Sequence, residues 1–350
     1  MTHLGMAASV KPLSGVRVVE FEGIGPGPLC GSMLAGLGAE ITLVTRPRKG
    51  GLADTLGGGA PNPLRTGKRE VPLDLKNPEH VRQALDLIAQ ADALIEGNRP
   101  GVMERLGLGP EQCAAHNPRL VYGRMTGWGQ DGPLAMAAGH DLNYMALSGM
   151  LSLGLREGQK PMAPPTVLGD AGGALGLAFG MVSAVLHARA SGQGSVVDAA
   201  ITDVVAMLGG IAQLIIRGGQ LGGPAPSPFH DSPFYDSYRC ADGGWITVGA
   251  LEPQFYALLL HKLELHDVDP KRQYESAGWP ALKQRFTALF LSQPRSHWCA
   301  LLEGTDVCFA PVLTLDEARG HAHNVARGTF TAQGGAGAAP RVTALPGVPD

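Results

Sequence analysis

Short apolar runs alternate with stretches of helical spacing over roughly the first third of the chain. VRVVEF, Val16 to Phe21, is a β-branched run of strand length. A glycine turn then opens GPGPLCGSMLAGLGAE, a small-residue segment that reads as a helix. ITLV, Ile41 to Val44, is a second buried strand and VPLDL a third. PEHVRQALDLIAQA sets Val81, Ala84, Leu85, Leu87 and Ile88 at helical spacing. DALIEG and RLVYGRM read as further strands. Strands separated by helices predict a parallel sheet covered on both faces.

From HDLNYMALSGML onward the pattern turns helical. It continues through Ala171 to Ala188 and through VVDAAITDVVAMLGGIAQLIIRGG, which reads as one long helix-like segment able to bridge domains. GGPAPSPFHDSPF breaks the pattern with Pro and Gly. YDSYRCADGGWITVGAL then reads as a hairpin turning at Asp242, Gly243 and Gly244. Two helical stretches follow, and FAPVLTLDEA reads as a return path ending in a Gly/Ala/Pro-rich tail. The expected fold is α/β. A large Rossmann-like parallel-sheet domain covers 1–200 with a C-terminal return at 316–350, a linker covers 201–227, and a smaller α+β domain covers 228–315. There is no internal repeat.

Composition narrows the function. With 350 residues, 44% hydrophobic and 17% charged, the chain can bury one large core or two smaller ones. Its 50 glycines and 27 prolines are not periodic, which excludes a collagen-like chain. A net charge of −3 and 5% aromatic residues argue against a nucleic-acid partner. The five cysteines, Cys30, Cys113, Cys240, Cys299 and Cys308, are odd in number and show no CxxC spacing. Neither a zinc cluster nor a disulfide framework is expected; reduced thiols and a cytoplasmic location are. MTHLGMAASVKPLSG has no long apolar run, so secretion is not expected. Ala171 to Ala188 is short for a membrane span and rich in Gly and Ala, so it is expected as a buried helix and no membrane as a partner.

Two stretches carry candidate chemistry. EGIGPGPLCG follows a strand and opens a helix, as a dinucleotide-binding turn would, but counting from Gly25 the third required glycine is Cys30. The next strand ends on Thr45, Arg46, Pro47 and Arg48, where a ribose hydroxyl would call for an acid. Two readings stand: a tight turn packing a helix on the sheet, or a site for a nucleotide-bearing ligand with a phosphorylated ribose or pyrophosphate. Arg65, Lys68, Arg69, Lys76, Arg99 and Arg105 lie near the same sheet edge. Each alone is a solvated charge by default; together they favour an anionic ligand. In AAGHDLNYMALSG, His140 and Asp141 sit among glycines, alanines and apolar residues, and by itself His140 reads as a structural histidine.

GHDLNYMALSG, VLGDAGG, GQGSVVDAA, PFYDSYRCADG and VGALEPQFY closely resemble the family III CoA-transferase superfamily, and within it the α-methylacyl-CoA racemases. LSGVRVVEFEGIGPGP, LVTRPRKG, NRPGVMERLGLGPEQCAAHNPRLVYGRMTGWGQDGP and APVLTLDEA fit the same pattern in the same order, so the likeness runs from about Pro12 to Phe330. The resemblance implies an interlocked homodimer. Its large domain binds CoA, and its active site lies between the large domain of one subunit and the small domain of the other. It implies His140 and Asp170 as proton carriers, with Glu252 paired to the histidine. CoA contacts would fall on Arg46, Leu73, Asp74, Leu75, Lys76, Gly97, Asn98, Arg99, Arg105, Gly139, His140, Asp141, Leu142, Asn143 and Tyr144. Three departures bear on CoA contacts and acyl specificity. Asn98 stands where an aromatic residue is frequent, Thr166 stands where asparagine is common, and KGGLADTLGGGAPNPLRTGKRE is unusually glycine-rich.

The implied chemistry suits these residues. A thioester carbonyl acidifies the α-hydrogen, because no carboxylate charge opposes the enolate. Inverting that centre takes a base on one face and an acid on the other, with no metal and no cofactor beyond the substrate's own CoA. His140 suits the base because an unperturbed imidazole titrates near neutrality, and a helix starting near Asp141 would favour the neutral form. Backbone N–H groups at such a start would stabilise the enolate. Asp170 faces opposing influences: a helix start lowers a carboxyl pKa and burial raises it. Other readings remain open. Asp170 is also placed to cap a helix, Asp141 to cap or to touch CoA, and Glu252 to be a surface charge. Met145, Met150, Met162 and Met181 suit the core, or an adaptable surface for acyl chains. The alternative activities are a family III CoA-transferase with Asp170 as nucleophile, a non-catalytic acyl-CoA-binding protein and, third, a nicotinamide oxidoreductase.

Overall fold

The computed structural model describes residues 10–47, 62–156, 158–332 and 335–345. Two units divide them. The first combines the residues up to Leu155 with Lys160–Leu208 and those from Thr331; the second comprises Arg156–Gln159 and Gly209–Phe330.

The first unit is built on a parallel sheet. Its elements are β1 (Arg17–Phe21), α1 (Pro26–Gly36), β2 (Glu40–Thr45), β3 (Arg69–Pro72), α2 (Pro78–Ala89), β4 (Ala93–Glu96), α3 (Val102–Arg105), α4 (Pro110–His116), β5 (Val121–Thr126), α5 (Asp141–Leu147), α6 (Asp170–Ser191), β6 (Ser195–Ala200) and α7 (Ile201–Leu208). Among the described residues the sheet has six strands in the order β3-β2-β1-β4-β5-β6, every pair parallel. Alternation along β1 shows why both faces are covered. Val18 joins a core with Cys30 and Leu34 of α1 and with Leu177 and Met181 of α6. Val19 joins the opposite core with Ala84 and Ile88 of α2 and Cys113 of α4. Strands buried on both sides are continuous apolar runs, and that made them visible in the sequence. Local signals set the helix bounds. The Asn77 side chain accepts from the Glu79 N–H at 2.9 Å ahead of Pro78, and α6 stops at Gly192, whose φ of 77° suits only a residue without Cβ.

The order reverses between β1 and β4. The chain runs outward to β2 and β3, then returns to add β4, β5 and β6 on the other side. A parallel sheet opens a crevice at the carboxyl ends of such a strand pair. The loops at that crevice here are the one after β1, which contains Gly25, and the one after β4, which contains Gly97 to Arg99.

The second unit contains α8 (Gly210–Arg217), β7 (Tyr235–Arg239), β8 (Trp245–Gly249), α9 (Pro253–Lys262), α10 (Trp279–Leu291), α11 (Arg295–Leu302), β9 (Phe309–Val312), α12 (Leu315–Gly320) and α13 (Ala322–Arg327). Its antiparallel sheet runs β7-β8-β9. The expected hairpin is present: the Cys240 N–H donates to the Gly244 carbonyl at 2.8 Å, and Gly243 takes a φ of 83°. Phe234, Tyr238, Ile246, Tyr256, Phe286, Phe290 and Trp298 form the core.

Three sequence expectations are corrected. VVDAAITDVVAMLGGIAQLIIRGG is not one long helix-like segment. It begins inside β6, paired with β5 from Val121↔Ser195 to Thr126↔Ala200, and only then becomes α7 and α8. The stretch 201–227 is therefore largely helical. FAPVLTLDEA supplies β9 and starts α12 in place of a return path. Arg295 of α11 pairs with Glu317 of α12, and His321 pairs with Glu303 at 2.7 Å. These contacts hold the segment to the second unit, and the return to the first begins at Thr331. All five cysteines are free, with Cys30, Cys113 and Cys240 buried.

Candidate active site

His140 is the N-cap of α5, in extended backbone, and its side chain is exposed. Asn143 closes the turn: its Oδ1 accepts the His140 N–H at 3.1 Å. The bland surroundings are steric. A Cβ on Gly127 would fall inside the Tyr144 ring, and one on Gly139 would lie 2.7 Å from Tyr144 and 2.8 Å from Trp128. Tyr144 donates its hydroxyl proton to the Gly139 carbonyl and meets Trp128 edge to face, centroids 4.7 Å apart. Glycine at 127 and 139 is what lets that ring pack against the turn that precedes the histidine. Gly127→Ala is expected to displace Tyr144, costing about 1–3 kcal/mol in urea denaturation.

Asp170 is the first residue of α6, after an N-cap glycine that supplies no side-chain cap. It is half-buried. Burial, and next the charge of Asp141, push its carboxyl above the ordinary aspartate value; His140 opposes them. The opposing influences read from the sequence thus resolve upward. Asp141, the residue next to His140, accepts the Asp170 N–H, so the two candidates stand at adjoining helix starts. Gly25 completes the setting. A Cβ there would come 3.4 Å from Asp170 Oδ2, so the loop after β1 lies against the carboxyl. The sequence offered Gly25 only as the first glycine of a nucleotide motif that fails; Cys30, its missing third glycine, is fully buried core.

Asp141 faces inward and is 7% exposed. Its Oδ1 accepts the Asp170 N–H at 2.8 Å and its Oδ2 the Thr166 N–H at 3.0 Å. Thr166 holds a φ of 64°, a left-handed conformation unfavourable for a β-branched residue and tolerated by asparagine. Asparagine at this position would relieve that strain. Glu252 belongs to the second unit, where it is the N-cap of α9; it is exposed and makes no side-chain cap bond.

The CoA candidates of the first unit gather at the carboxyl ends of the strands. Arg46 follows β2, donates its N–H to Glu22 at 2.9 Å, and keeps a side chain 73% exposed. Leu73, Asp74, Leu75 and Lys76 follow β3; Leu73 is buried and donates to the Thr45 carbonyl. Gly97, Asn98 and Arg99 follow β4. The Asn98 N–H donates to buried Glu96 at 2.6 Å, and the Asn98 amide donates to Met103 Sδ at 3.4 Å. Leu142 is exposed on the first turn of α5.

The basic cluster expected at this edge is smaller than its sequence list. The Lys68 side chain is fully buried, with Nζ at 2.6 Å and 2.8 Å from the two Glu20 carboxylate oxygens and 2.9 Å from the Pro28 carbonyl. Arg65 is taken by Glu22 and Glu70, and Arg69 donates to Thr42 at 2.9 Å. These three serve the fold. Lys76, Arg99 and Arg105 have no ion-pair partner among the described residues. Arg48 and most of KGGLADTLGGGAPNPLRTGKRE lie outside the described residues. Of the methionines, Met145 and Met181 are core and Met162 is 68% exposed.

Comparison with known proteins adds a second line of evidence. The sequence profile of CoA-transferase family III matches residues 13–348. The α-methylacyl-CoA racemase of Mus musculus is 42% identical, across 92% of this chain and 83% of its own length. That of Homo sapiens is 40% identical, across 91% and 82%. A crystal structure of a CaiB/BaiF family protein from Brucella suis superposes with a TM-score of 0.82 at 24% identity, over 96% of this chain and 93% of its own, which shows the fold.

Proposed function

The chain belongs to CoA-transferase family III, and from that premise we propose that it epimerises 2-methylacyl-CoA thioesters as an α-methylacyl-CoA racemase. One observation carries the reading: an imidazole and a carboxyl stand at the starts of two helices that the Asp141 carboxylate joins, beside the sheet crevice. His140 takes the α-hydrogen from one epimer. The electrons move into the thioester carbonyl, giving a planar enolate whose oxygen is stabilised by backbone N–H groups at the start of α5. Asp170 delivers a proton to the opposite face. The reverse passage starts with ionised Asp170 and protonated His140. Side chains carry both transfers, and CoA enters only as part of the substrate.

CoA is proposed to lie along the strand ends, its phosphates met by Arg46, Lys76, Arg99 and Arg105. Gly97, Asn98 and the turn Gly139 to Tyr144 would give it close backbone approach. We also propose a homodimer in which the second unit of one subunit lends Glu252 to the histidine of the other. In support, α6 carries Leu175, Phe179 and Leu186 exposed on one stripe, an apolar face suited to a second copy. The proposed location is the cytoplasm, in keeping with five free thiols.

The rival within the family is acyl transfer with Asp170 attacking the thioester. A single-epimer 2-methylacyl-CoA incubated with the enzyme in D₂O separates the two. Loss of optical purity with α-deuterium gain is expected. CoA passing to an added free acid without α-exchange would establish transfer, and binding with neither reaction would establish a non-catalytic carrier.

A further inference from the structure

The carboxylate of Asp141 is engaged in an unusual way. It belongs to the first residue of α5, yet it caps α6, 29 positions later, by accepting the Asp170 N–H at 2.8 Å. Its other oxygen accepts the Thr166 N–H at 3.0 Å and so holds that residue in its left-handed conformation. The N-cap of α6 is Gly169, and a Cβ there would strike Asp141 Oδ1. One buried side chain thereby fastens together the starts of two helices, with His140 immediately before one and Asp170 at the first position of the other.

We propose that Asp141 is the positioning residue of the proton-transfer pair, its carboxylate tying the helix that carries Asp170 to the turn that carries His140. The inference rests on the reading of the site given above. Two effects follow. The tie fixes the spacing of the two proton carriers, and misplacement by about 1 Å can cost on the order of 10²-fold in rate. The tie is also a like charge beside Asp170. The groups facing Asp170 are Asp141 and His140 at the start of α5, Tyr144 on its first turn, and the uncharged backbone of Gly25. Asp141 raises the Asp170 pKa and His140 lowers it. Removing the charge of Asp141 therefore lets Asp170 lose its proton at lower pH.

Asp141→Asn is the test. It keeps the shape and one acceptor, sets an NH₂ against the Thr166 N–H, and deletes the charge. The expected result is a kcat about 10²-fold lower with KM little changed. For the epimer that gives its proton to His140, the alkaline limb of the kcat profile moves to lower pH. Gly169→Ala pushes the carboxylate aside without removing charge, so it lowers kcat and moves that limb by less than Asp141→Asn does. In hydrogen exchange read by mass spectrometry, both variants lose protection in the peptide spanning Thr166 and Asp170. Wild-type kcat and pH profile in Asp141→Asn overturn the proposal, as does a lowered kcat with the limb unmoved, which reduces Asp141 to an ordinary cap. If Asp141→Asn does not fold, a folded Gly169→Ala with wild-type kcat overturns it equally. Wild-type enzyme that shows no α-exchange defeats the racemase reading instead, and the exchange-protection measurement still decides whether the tie exists.

Discussion

His140→Ala is expected to slow interconversion of the two epimers by about 10²–10⁴-fold, while acyl-CoA affinity changes little. The substitution is mild for the fold. Asn143 grips the backbone N–H of residue 140, which alanine retains, and the extended backbone there is open to any residue. The imidazole is exposed and supports no core packing. The loss should also be one-sided. Asp170 remains able to remove and return a proton on its own face, so residual α-deuterium incorporation is confined to one epimer and proceeds with retention. Chiral chromatography of the acyl group, with α-deuterium followed by NMR, reads both quantities; calorimetry with a thioether analogue reads affinity. Racemisation at the wild-type rate, or a large loss of affinity with exchange intact, would remove His140 from the chemistry.

What the sequence disclosed follows from how local each signal was. β1, β2, β4 and β5 are apolar runs bounded by glycine, proline or charged residues, so they were readable alone. β6 was not, because SVVDAA passes into ITDVVAML with no breaker and its strand identity comes from pairing with β5, some seventy positions earlier. His140 and Asp170 were reached by resemblance, and the start of α5 at Asp141 by its glycine turn. The fates of Lys68 and Asp141 were out of reach. The partners that bury them lie 48 and 29 positions away, and no spacing rule connects them. The same distance hid Gly25, whose closeness to Asp170 exists only once α1 and α6 pack on the sheet.

Asp170→Asn is expected to produce a loss of similar size with the opposite asymmetry. Asparagine neither gives nor takes a proton, so inversion stops, and the exchange that survives belongs to the epimer served by His140. The fold should hold. The backbone N–H of residue 170 still reaches Asp141 Oδ1, and the peptide spanning Thr166 and residue 170 keeps its exchange protection, unlike in Asp141→Asn. The pH dependence fixes the role. Passage from the epimer deprotonated by His140 requires protonated Asp170, so its rate falls as pH rises through the Asp170 pKa. The reverse passage requires the ionised form and falls as pH drops through the same value. Because burial and Asp141 raise that pKa, both limbs lie above the position of an ordinary aspartate. Asparagine at 170 removes the Asp170 limb from whatever exchange remains. A variant that still inverts the α-carbon, or one whose residual exchange favours the same epimer as His140→Ala, would mean that the two side chains do not address opposite faces of a single carbon.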